Sequence, residues 1–543
     1  MFKYVWITFL FMADYSYGAS FYVATNGDNM ATGSSVTPWK TIGFGIEQLS
    51  PGDTLIVKAG TYTGKANFIN SHLYPDLPSG IDINNRTTIK AETPLSVRIE
   101  HNGSLNFNEE LVKIKSGYNY IHVEGFIFNL ENAPSDPSYI VAIGGDYNII
   151  SKSIMRRAGR ADKYGGWIAL QGDYNLAEDC AGVGNARYGF YTGGTGSSAQ
   201  YNIFRRCVGR VDYSNSDQPQ ATFSVYGNNS NANVHDHLFQ NCIALDGHAG
   251  PSGGLGEDMN TWGAWYFPKN ATNVTVQGSI SLNSEVHFGA FVVKEEQGSN
   301  VKLENTVAWG TYGPAPFIRG VKAGGNQPSL KMHNVTIGNT PAAAYETGSS
   351  NHIELKNSLL IGNASIGKIN GTMVSHTNNA VSPANFAEGN NQVSLDTLPE
   401  NFLDPSTSAD LTGTGENGVN VGATILKSYG VTGTVWGQAG YDQLTNENLW
   451  PWKYEDEIKA VFSESNPSPI GVTPSSNNTI RGFTTDEDDF GTPMTLTKYI
   501  WQAMGTKIPE GIYDPDIIPP VMSSCDDWYV IPTVNKSISI VCL

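Results

Sequence analysis

The chain has 543 residues, 40% of them hydrophobic and 15% charged, with a formal net charge of −18 at pH 7. A chain of this length and apolar content can bury one large core or several. The negative charge argues against nucleic acid as a partner, because a phosphate backbone is bound by clustered Lys and Arg. It argues equally against dense acidic polymers, unless bound cations or local basic patches neutralise them.

The N-terminus has the pattern of a secretory signal peptide. One lysine precedes an apolar run from Tyr4 to Met12, and small residues follow as far as Ala19. Such a segment is too short to remain as a membrane anchor and is removed after export. We therefore predict a signal peptide over residues 1–18 and a protein that is secreted, periplasmic or on the cell surface, without an integral membrane segment.

Segments between residues 118 and 362 repeat one pattern, as in YNYIHVEGFIFN, YNIISKSIMRR and YNIFRRCVGRV. Equivalent positions are Ser153, Cys180, Cys207 and Cys242, at spacings of 27, 27 and 35 residues. Repeats of roughly 20 to 50 residues indicate solenoids, propellers or arrays. Each unit is too short for a propeller blade and has no helical periodicity. The pattern therefore predicts a coil of short strands, each stacked on the coil before it.

A second strand is predicted inside each repeat, from runs such as GWIALQG at Gly166 and ATFSVYG at Ala221. An asparagine recurs at the next turn, at positions Asn148, Asn175, Asn202, Asn273 and Asn300. Because Asn tolerates left-handed backbone, we expect these residues to form the corners and to stack as a ladder. The repeated cysteines are predicted to stack as small buried apolar residues. Near the C-terminus, Cys525 and Cys542 can form a disulfide in an oxidising compartment.

The segment from Phe21 to Gly64 resembles the opening of secreted right-handed parallel β-helix proteins of the pectin-lyase-like superfamily. The residues that carry this resemblance are Tyr22, Gly27, Pro38, Thr41, Ile42, Pro51, Gly52, Asp53, Thr54 and Gly60. The resemblance implies an N-terminal cap and first coil. We therefore predict an all-β chain with a right-handed parallel β-helix over residues 19–385. Function does not follow from the fold alone.

Residues 386–543 are predicted to be a linker and capping region with short helices. The segments from Leu449 and from Thr495 to Met504 have the spacing of amphipathic helices. An uncovered terminal coil would pair with other chains, so we expect this region to cover the open end of the solenoid.

Long insertions are expected to wall a groove along one side of the solenoid. They run from Arg156 to Gly166, from Val211 to Ala221 and from Asp246 to Trp262, each between the first and second predicted strands of its repeat. Arginines, carboxylates and aromatic residues in such a groove favour a carbohydrate cleft, because arginine binds a uronate carboxylate through two parallel hydrogen bonds. The predicted substrate-binding residues are Arg157, Arg160, Trp262 and Trp265. The alternative is that the arginines and aspartates pair with one another and the tryptophans pack beneath them.

A polysaccharide lyase acting on a uronate polymer needs a group that neutralises the carboxylate, a base for the C5 proton and an acid for the leaving oxygen. The predicted catalytic residues are Arg156, Lys163, Arg210, Tyr213, Asp246 and His248. The predicted ligands for Ca²⁺, if the chain uses a cation, are Asp212, Glu257 and Asp258.

Two other functions are consistent with the same cleft. A glycoside hydrolase would use two carboxylates, of which Asp246 with Glu257 or Asp258 is the pair to test. A non-catalytic extracellular protein would bind a glycan or form part of a surface or matrix. The partner is a polysaccharide in each case, and the oligomeric state is left open.

Overall fold

The computed structural model describes residues 18–101, 105, 109–130, 139–157, 165–194, 199–213, 221–227, 234–247, 264–268, 271–284, 289–293, 300–310, 317–318, 329–340, 345–347, 352–362, 367–369, 372–382, 391–464, 481–488, 491–505, 530–533 and 536–539. Its strands form a 24-stranded and an 11-stranded parallel sheet. The larger sheet bends, so its strands fall into two stacks, which we call the first and second sheets. The smaller one is the third sheet.

The chain passes through the first, second and third sheets in turn and then returns to the first. The first sheet contains Ser20–Val23, Thr54–Val57, Thr87–Ala91, Ile121–Glu124, Ile149–Ser151, Leu176–Glu178, Ala199–Gln200, Ile203–Arg205, Val234–Gln240, Thr272–Gln277, His352–Lys356 and Thr372–Thr377. The second contains Gly60–Thr63, Val97–His101, Phe126–Leu130, Ile154–Arg157, Ala181–Asn185, Val208–Tyr213, Ile243–Leu245, Ile280–Leu282, Leu359–Gly362 and Ala380–Ser382. Asn300–Trp309 and Ser329–Thr340 pass through both.

The third sheet contains Ile69–Asn70, Val112–Ile114, Tyr139–Ile143, Gly166–Leu170, Tyr188–Gly194, Ala221–Gly227, Trp265–Phe267, Phe291–Val293, Phe317–Ile318, Tyr345–Thr347 and Gly367–Ile369. Connections between parallel strands of one sheet are right-handed in nearly all proteins. The predicted fold, a right-handed parallel β-helix, is confirmed. Each coil has three strands where the sequence predicted two, because the repeated segment bends into two short strands.

Apolar residues in equal register form the interior. In the first sheet Ile150, Ala177, Phe204 and Phe239 pair in order along the coils. All four are fully buried. A β-strand points alternate side chains to opposite faces, so one residue in two enters the core and the next lies outside it.

Single residues with left-handed backbone turn the chain from the first sheet to the second: Lys152, Asp179, Arg206, Asn241, Gly278, Asn305, Asn334, Asn357 and Asn378. The turn into the first sheet is made by another set: Tyr120, Tyr147, Tyr174, Tyr201, Asp236 and Asn273. The prediction that Asn148, Asn175 and Asn202 are the left-handed corners is therefore wrong, since the preceding tyrosines take that conformation.

These three asparagines instead form the predicted ladder inside the turn. The Oδ1 atoms of Asn148, Asn175 and Asn202 each accept a hydrogen bond of 2.8 Å from a backbone N–H of the preceding coil. The prediction for Cys180, Cys207 and Cys242 is also confirmed, because these thiols are free and fully buried in successive coils. Burial disfavours the charged thiolate, so the pKa values of Cys180 and Cys207 lie well above the ordinary thiol value. Cys525 and Cys542 lie outside the described residues.

Helix α1, Ile42–Glu47, closes the N-terminal end of the solenoid. The Thr41 hydroxyl caps it by accepting from the Phe44 N–H, and its residues Ile42 and Ile46 join the solenoid core. This placement agrees with the N-terminal cap that the resemblance implied.

The C-terminal region, described over 391–464, 481–488 and 491–505, contains α2 (Glu455–Ser463), α3 (Leu496–Met504) and an antiparallel pair, Lys427–Tyr429 with Leu444–Asn448. A further antiparallel pair joins Val530–Thr533 and Lys536–Ser539. Short 3₁₀ helices are Lys65–Asn67, Pro405–Thr407, Glu416–Gly418 and Gly482–Thr484. No helix within the described ranges is long and apolar enough to cross a membrane.

The C-terminal region lies along the outer face of the second sheet. Outward residues of that sheet, including Ile154, Val208 and Ile243, are buried in one cluster with Phe462 and Trp501. Each fully buried side chain of this kind contributes roughly 1.5–3 kcal/mol. The apolar row that these residues cover runs along the side of the solenoid, while Val393 pairs with Ala380 of the last described coil. The expectation that this region closes the open end stays a prediction.

Candidate functional site

Three connections leave the second sheet at one corner and enter the third sheet beside each other. Arg157, Gly184 and Val211 are paired in register at the end of the second sheet. The segments 158–164, 214–220 and 248–263 start just after this sheet and end just before the third. The grouping of the three predicted insertions at one corner is therefore confirmed for their anchor residues, while the segments themselves lie outside the described residues.

Tyrosines cover the outer face of the third sheet next to this corner. One outward row pairs Ala142, Ala169, Tyr191, Ser224 and Tyr266 in register. We call the tyrosine surface the cluster formed by Tyr139, Tyr188, Tyr191, Tyr226 and Tyr266. This cluster is separate from the solenoid core. Tyr226 is partly buried and the other four are buried.

The rings of the tyrosine surface stack on one another. The centroid of the Tyr191 ring lies 5.5 Å from that of Tyr139 and 5.7 Å from that of Tyr188, with nearly parallel planes. The Tyr188 ring also lies 6.1 Å from the rings of Tyr226 and Tyr266. Such pairs contribute roughly 0.5–1.5 kcal/mol each beyond their buried area.

Two arginines adjoin these rings. The Arg187 guanidinium carbon lies 4.7 Å above the Tyr188 ring, and its Nη2 donates to the Tyr188 hydroxyl at 3.2 Å. Arg157 lies against Gly165, where an added Cβ would come within 1.9 Å of its Nη1. A Cβ on Gly166 would come within 2.5 Å of the Tyr139 ring. The two glycines therefore make room for Arg157 and Tyr139.

Burial keeps Tyr139, Tyr188 and Tyr191 in their neutral forms. Desolvation raises the pKa of Tyr188 to about 12, although the Arg187 charge acts in the opposite direction. Desolvation likewise raises the pKa values of Tyr139 and Tyr191 above the ordinary phenol value. Between Tyr191 and Tyr266, the buried Ser224 hydroxyl has no hydrogen-bond partner among the described residues. The tyrosine surface thus contains protonated, mostly buried phenols and a fully buried, unpaired hydroxyl, beside the buried Arg157 and the partly buried Arg187.

The predicted sugar-binding role of Trp265 is corrected by its position. Its side chain is fully buried inside the solenoid, where its ring stacks on Phe223 at 4.2 Å and on Phe291 at 5.3 Å. Because both faces of the indole are covered, no sugar ring can stack on it. The adjacent Tyr266 is the residue of this strand that points outward.

Arg156 lies on the outer face of the second sheet, away from the tyrosine surface. Its Nη1 donates to Asn129 Oδ1 at 2.9 Å, and its Nε is 3.3 Å from Glu464 Oε2 at the end of α2. Arg98 also binds Glu464, at 2.6 and 2.7 Å. Arg156 is 2% exposed and is ion-paired with the C-terminal region, and its predicted catalytic role stays a prediction.

Arg210 and Asp212 form a second buried ion pair beneath the C-terminal region. Arg210 Nε donates to Asp212 Oδ1 at 2.6 Å, and its Nη2 donates to the Phe462 carbonyl oxygen at 2.9 Å. That carbonyl belongs to the C-terminal end of α2, where the helix dipole favours a cation. Asp212 Oδ1 also accepts from Arg481 Nη2 at 3.0 Å. With two arginines on this carboxylate, the structure contradicts its predicted role as a Ca²⁺ ligand.

Asp246 contacts α3 instead of an open cleft. The Tyr499 hydroxyl donates to its Oδ1 at 2.5 Å and accepts from Asn283 Nδ2 at 2.9 Å. Arg481 Nη2 donates to the Asp246 carbonyl oxygen at 2.8 Å. Desolvation raises the pKa of Asp246, against the effects of Tyr499 and Arg481. Arg210 and Asp246 are therefore joined through Asp212 and Arg481, but beneath the C-terminal region and not in an open sugar-sized space. His248, the fourth residue of the predicted convergence, lies outside the described residues.

The remaining predicted residues lie outside the described part of the chain: Lys163, Arg160, His248, Trp262, Glu257 and Asp258. Tyr213 ends a second-sheet strand, and only its backbone is described. Among the described residues, no group of three or more His, Cys, Asp and Glu side chains is placed to hold a metal ion.

The sequence reasoning missed the tyrosine surface, although a signal was present. In RYGFYTGG and GAWYFP, tyrosines alternate with Phe or Trp. Where Phe190 and Trp265 face the core, their neighbours Tyr191 and Tyr266 must face outward. Alternation in the predicted second strand therefore marks this outer face.

No family model and no curated protein matches the chain. It is similar to pectate lyase Pel9A, at 16% identity and a TM-score of 0.37, over 65% of this chain and 79% of that one. It is also similar to a PL6 family polysaccharide lyase from Pseudopedobacter saltans, at 13% identity and a TM-score of 0.39, over 65% and 90% of the two chains. XylC in complex with xylose aligns at 10% identity, a TM-score of 0.39 and 70% and 87% coverage. No activity follows from values this low.

Proposed function

We propose that this protein is a secreted polysaccharide lyase that binds a uronate-containing polymer at the tyrosine surface and cleaves it by β-elimination. The observation that supports this proposal is the tyrosine surface itself, with Arg157 and Arg187 beside it and an unpaired Ser224 hydroxyl within it. Phenols, an hydroxyl and guanidinium groups match the hydroxyls and carboxylates of a uronate chain.

In β-elimination a base removes the C5 proton, and that electron pair forms the C4–C5 double bond as the C4–O bond breaks. The leaving oxygen then takes a proton. Arg157 and Arg187 would stabilise the negative charge that develops on the uronate carboxylate. Tyr188 would protonate the leaving oxygen, because its pKa of about 12 keeps it protonated at neutral pH.

Lys163 is the proposed base, since it belongs to the connection that begins after Arg157 and ends before Gly165. Tyr213 and His248 stay as predicted alternatives for this step. A Ca²⁺ requirement stays a prediction that depends on Glu257 and Asp258, and dialysis against EDTA followed by re-addition of Ca²⁺ tests it.

The direct test is incubation of the full chain, freed of its signal peptide, with polygalacturonate, alginate and other uronate polymers. A lyase produces an unsaturated product whose absorbance near 230–240 nm rises with time. The proposal fails if no polymer gives this signal with or without Ca²⁺. A rise in reducing ends without that absorbance would identify the hydrolase alternative.

A variant pair tests the assigned site. Tyr188→Phe removes the proposed acid and should lower the rate by about 100-fold or more. Tyr174→Phe is the matched control, because Tyr174 is stacked on Tyr147 and Tyr201 at the turn into the first sheet, outside the tyrosine surface. Equal rates for the two variants would remove Tyr188 from the reaction.

Binding without cleavage is the second candidate. The raised pKa values of Tyr139, Tyr188 and Tyr191 favour it, because phenols protonated at neutral pH cannot serve as bases. In that case the chain is retained on immobilised uronate polymer and neither product signal appears.

A further inference from the structure

The residues that lead into the three connections are each tied to the C-terminal region. Arg156 lies two residues before segment 158–164 and pairs with Glu464 at 3.3 Å. Asp212 lies two residues before segment 214–220 and accepts from Arg481 at 3.0 Å. Asp246 lies two residues before segment 248–263 and accepts from Tyr499 at 2.5 Å. The C-terminal region therefore contacts the exit point of every predicted insertion.

Arg481 joins two of these exit points directly. The same Nη2 atom donates to Asp212 Oδ1 at 3.0 Å and to the Asp246 carbonyl oxygen at 2.8 Å. The next residue, Gly482, has φ of 56°, and a Cβ there would lie 2.3 Å from Asp246 Oδ2. Only glycine lets this turn approach the second sheet so closely. The left-handed backbone of Gly482 and the side chain of Arg481 therefore both stabilise the contact with the second sheet.

Apolar packing alone would hold the C-terminal region on the second sheet, since the covered row is buried along its length. Charged groups beneath such a cover cost desolvation energy, and replacing a buried ion pair with apolar residues is often neutral or stabilising. One group of retained charges lies where the second-sheet strands end and the connections begin. Another, formed by Arg205 and Arg206 with Glu178 and Asp179, lies at the turn between the first and second sheets. Their directional hydrogen bonds fix the positions of Asp212 and Asp246 more closely than apolar contact does.

We infer that Arg481 and Tyr499 of the C-terminal region are positioning residues for the glycan site, acting through Asp212 and Asp246. This inference rests on the proposed function. The C-terminal region fixes where the second-sheet strands end, and the third-sheet strands that follow along the chain, Gly166–Leu170, Ala221–Gly227 and Trp265–Phe267, belong to the sheet that carries the tyrosine surface. Arg210 and Asp212, which the sequence assigned to catalysis and cation binding, belong to this positioning network.

Hydrogen–deuterium exchange on the full chain tests the inference without a glycan. Tyr499→Phe and Arg481→Gln should each raise exchange in peptides covering 208–213 and 243–247 by about fivefold, the effect of one lost hydrogen bond. Thr432→Val is the matched control. Its hydroxyl accepts from Arg206, which joins the C-terminal region to the turn between the first and second sheets and lies away from the connections. Exchange at 208–213 and 243–247 should be unchanged in the control.

Affinity for polygalacturonate and alginate, measured on the same proteins, tests the effect on the site. Both positioning variants should bind about fivefold more weakly than wild type, with the control unaffected. Unchanged exchange in both variants, or raised exchange with wild-type affinity, overturns the inference. If the wild type binds no uronate polymer, the proposed function fails, and the exchange data alone decide whether the C-terminal region positions these strand ends.

Discussion

The interior of the solenoid and the space beneath the C-terminal region both bury polar groups, but of different kinds. Inside, the buried groups are neutral amides, thiols and hydroxyls, such as Asn175 and Cys207. Beneath the C-terminal region they are charged, such as Arg156, Arg205 and Arg210. Coils stack about 4.8 Å apart, so a charge repeated in each coil would meet its own kind, whereas a second segment can supply the counter-charge. Stacking of similar coils therefore favours neutral side chains in the repeated rows of the interior.

The largest predicted effect comes from removing one of the covered charges. Arg210→Ala leaves Asp212 buried without its closest cation and should lower the free energy of unfolding by about 3–5 kcal/mol. Urea unfolding followed by circular dichroism measures this change.

Arg187→Ala is the matched substitution on the third sheet. Arg187 is only partly buried and stacks on Tyr188, so the expected loss of stability is about 0.5–1 kcal/mol. A loss equal to that of Arg210→Ala would show that the two arginines have the same structural role.

Within the described residues, the asparagine ladder is interrupted by a histidine at the rung after Asn202. His237 pairs in register with Val274 and is fully buried. Desolvation lowers its pKa to about 3, so it is neutral in the folded chain. The unfolded chain binds a proton near pH 6.5, and stability should therefore fall as the pH decreases from about 6.5 towards 3.

His237→Asn should extend the asparagine ladder, with the new Oδ1 accepting from the Asn202 N–H. We expect the variant to be about 1 kcal/mol more stable at pH 7 and to avoid about 3 kcal/mol of destabilisation at pH 4. Unfolding free energies at both pH values measure this difference. Parallel loss of stability with pH in the two proteins would assign the acid sensitivity to other groups.

The smallest predicted effect concerns Asp246. Its pKa is raised in the folded chain, so the unfolded state loses its proton first as the pH rises. The stability that Asp246 contributes is present below its pKa in the unfolded chain, near 4. It is lost as the pH increases through its pKa in the folded chain. Asp246→Asn keeps an acceptor for Tyr499 and should remove this decline. An unchanged pH profile of the melting temperature would contradict the assignment.

The repeat allowed the solenoid to be predicted from the sequence, because Asn148, Asn175 and Asn202 recur with the same neighbours in three successive coils. The position of the C-terminal region along the side of the solenoid could not be predicted from the sequence. Ile154 faces outward and Met155 inward, yet both are apolar, and a left-handed residue between the first and second sheets resets which side alternate residues face.

The prediction of the candidate site from the sequence failed for the same reason. Arg156 and Arg157 are neighbours that lead to different faces, one to Glu464 and the other to Gly165 and the third sheet. Because both residues are arginines, residue type alone could not predict which face each one occupies. The alternative that arginines and aspartates pair with each other proved correct for Arg210 and Asp212.

The most direct test of the account is a crystal structure of the full chain with a uronate oligosaccharide. The account predicts the sugar on the outer face of the third sheet, with a carboxylate within hydrogen-bonding distance of Arg157 or Arg187 and a sugar hydroxyl near Ser224. An oligosaccharide bound on the outer face of the first or second sheet, with the tyrosine surface uncontacted, would contradict it.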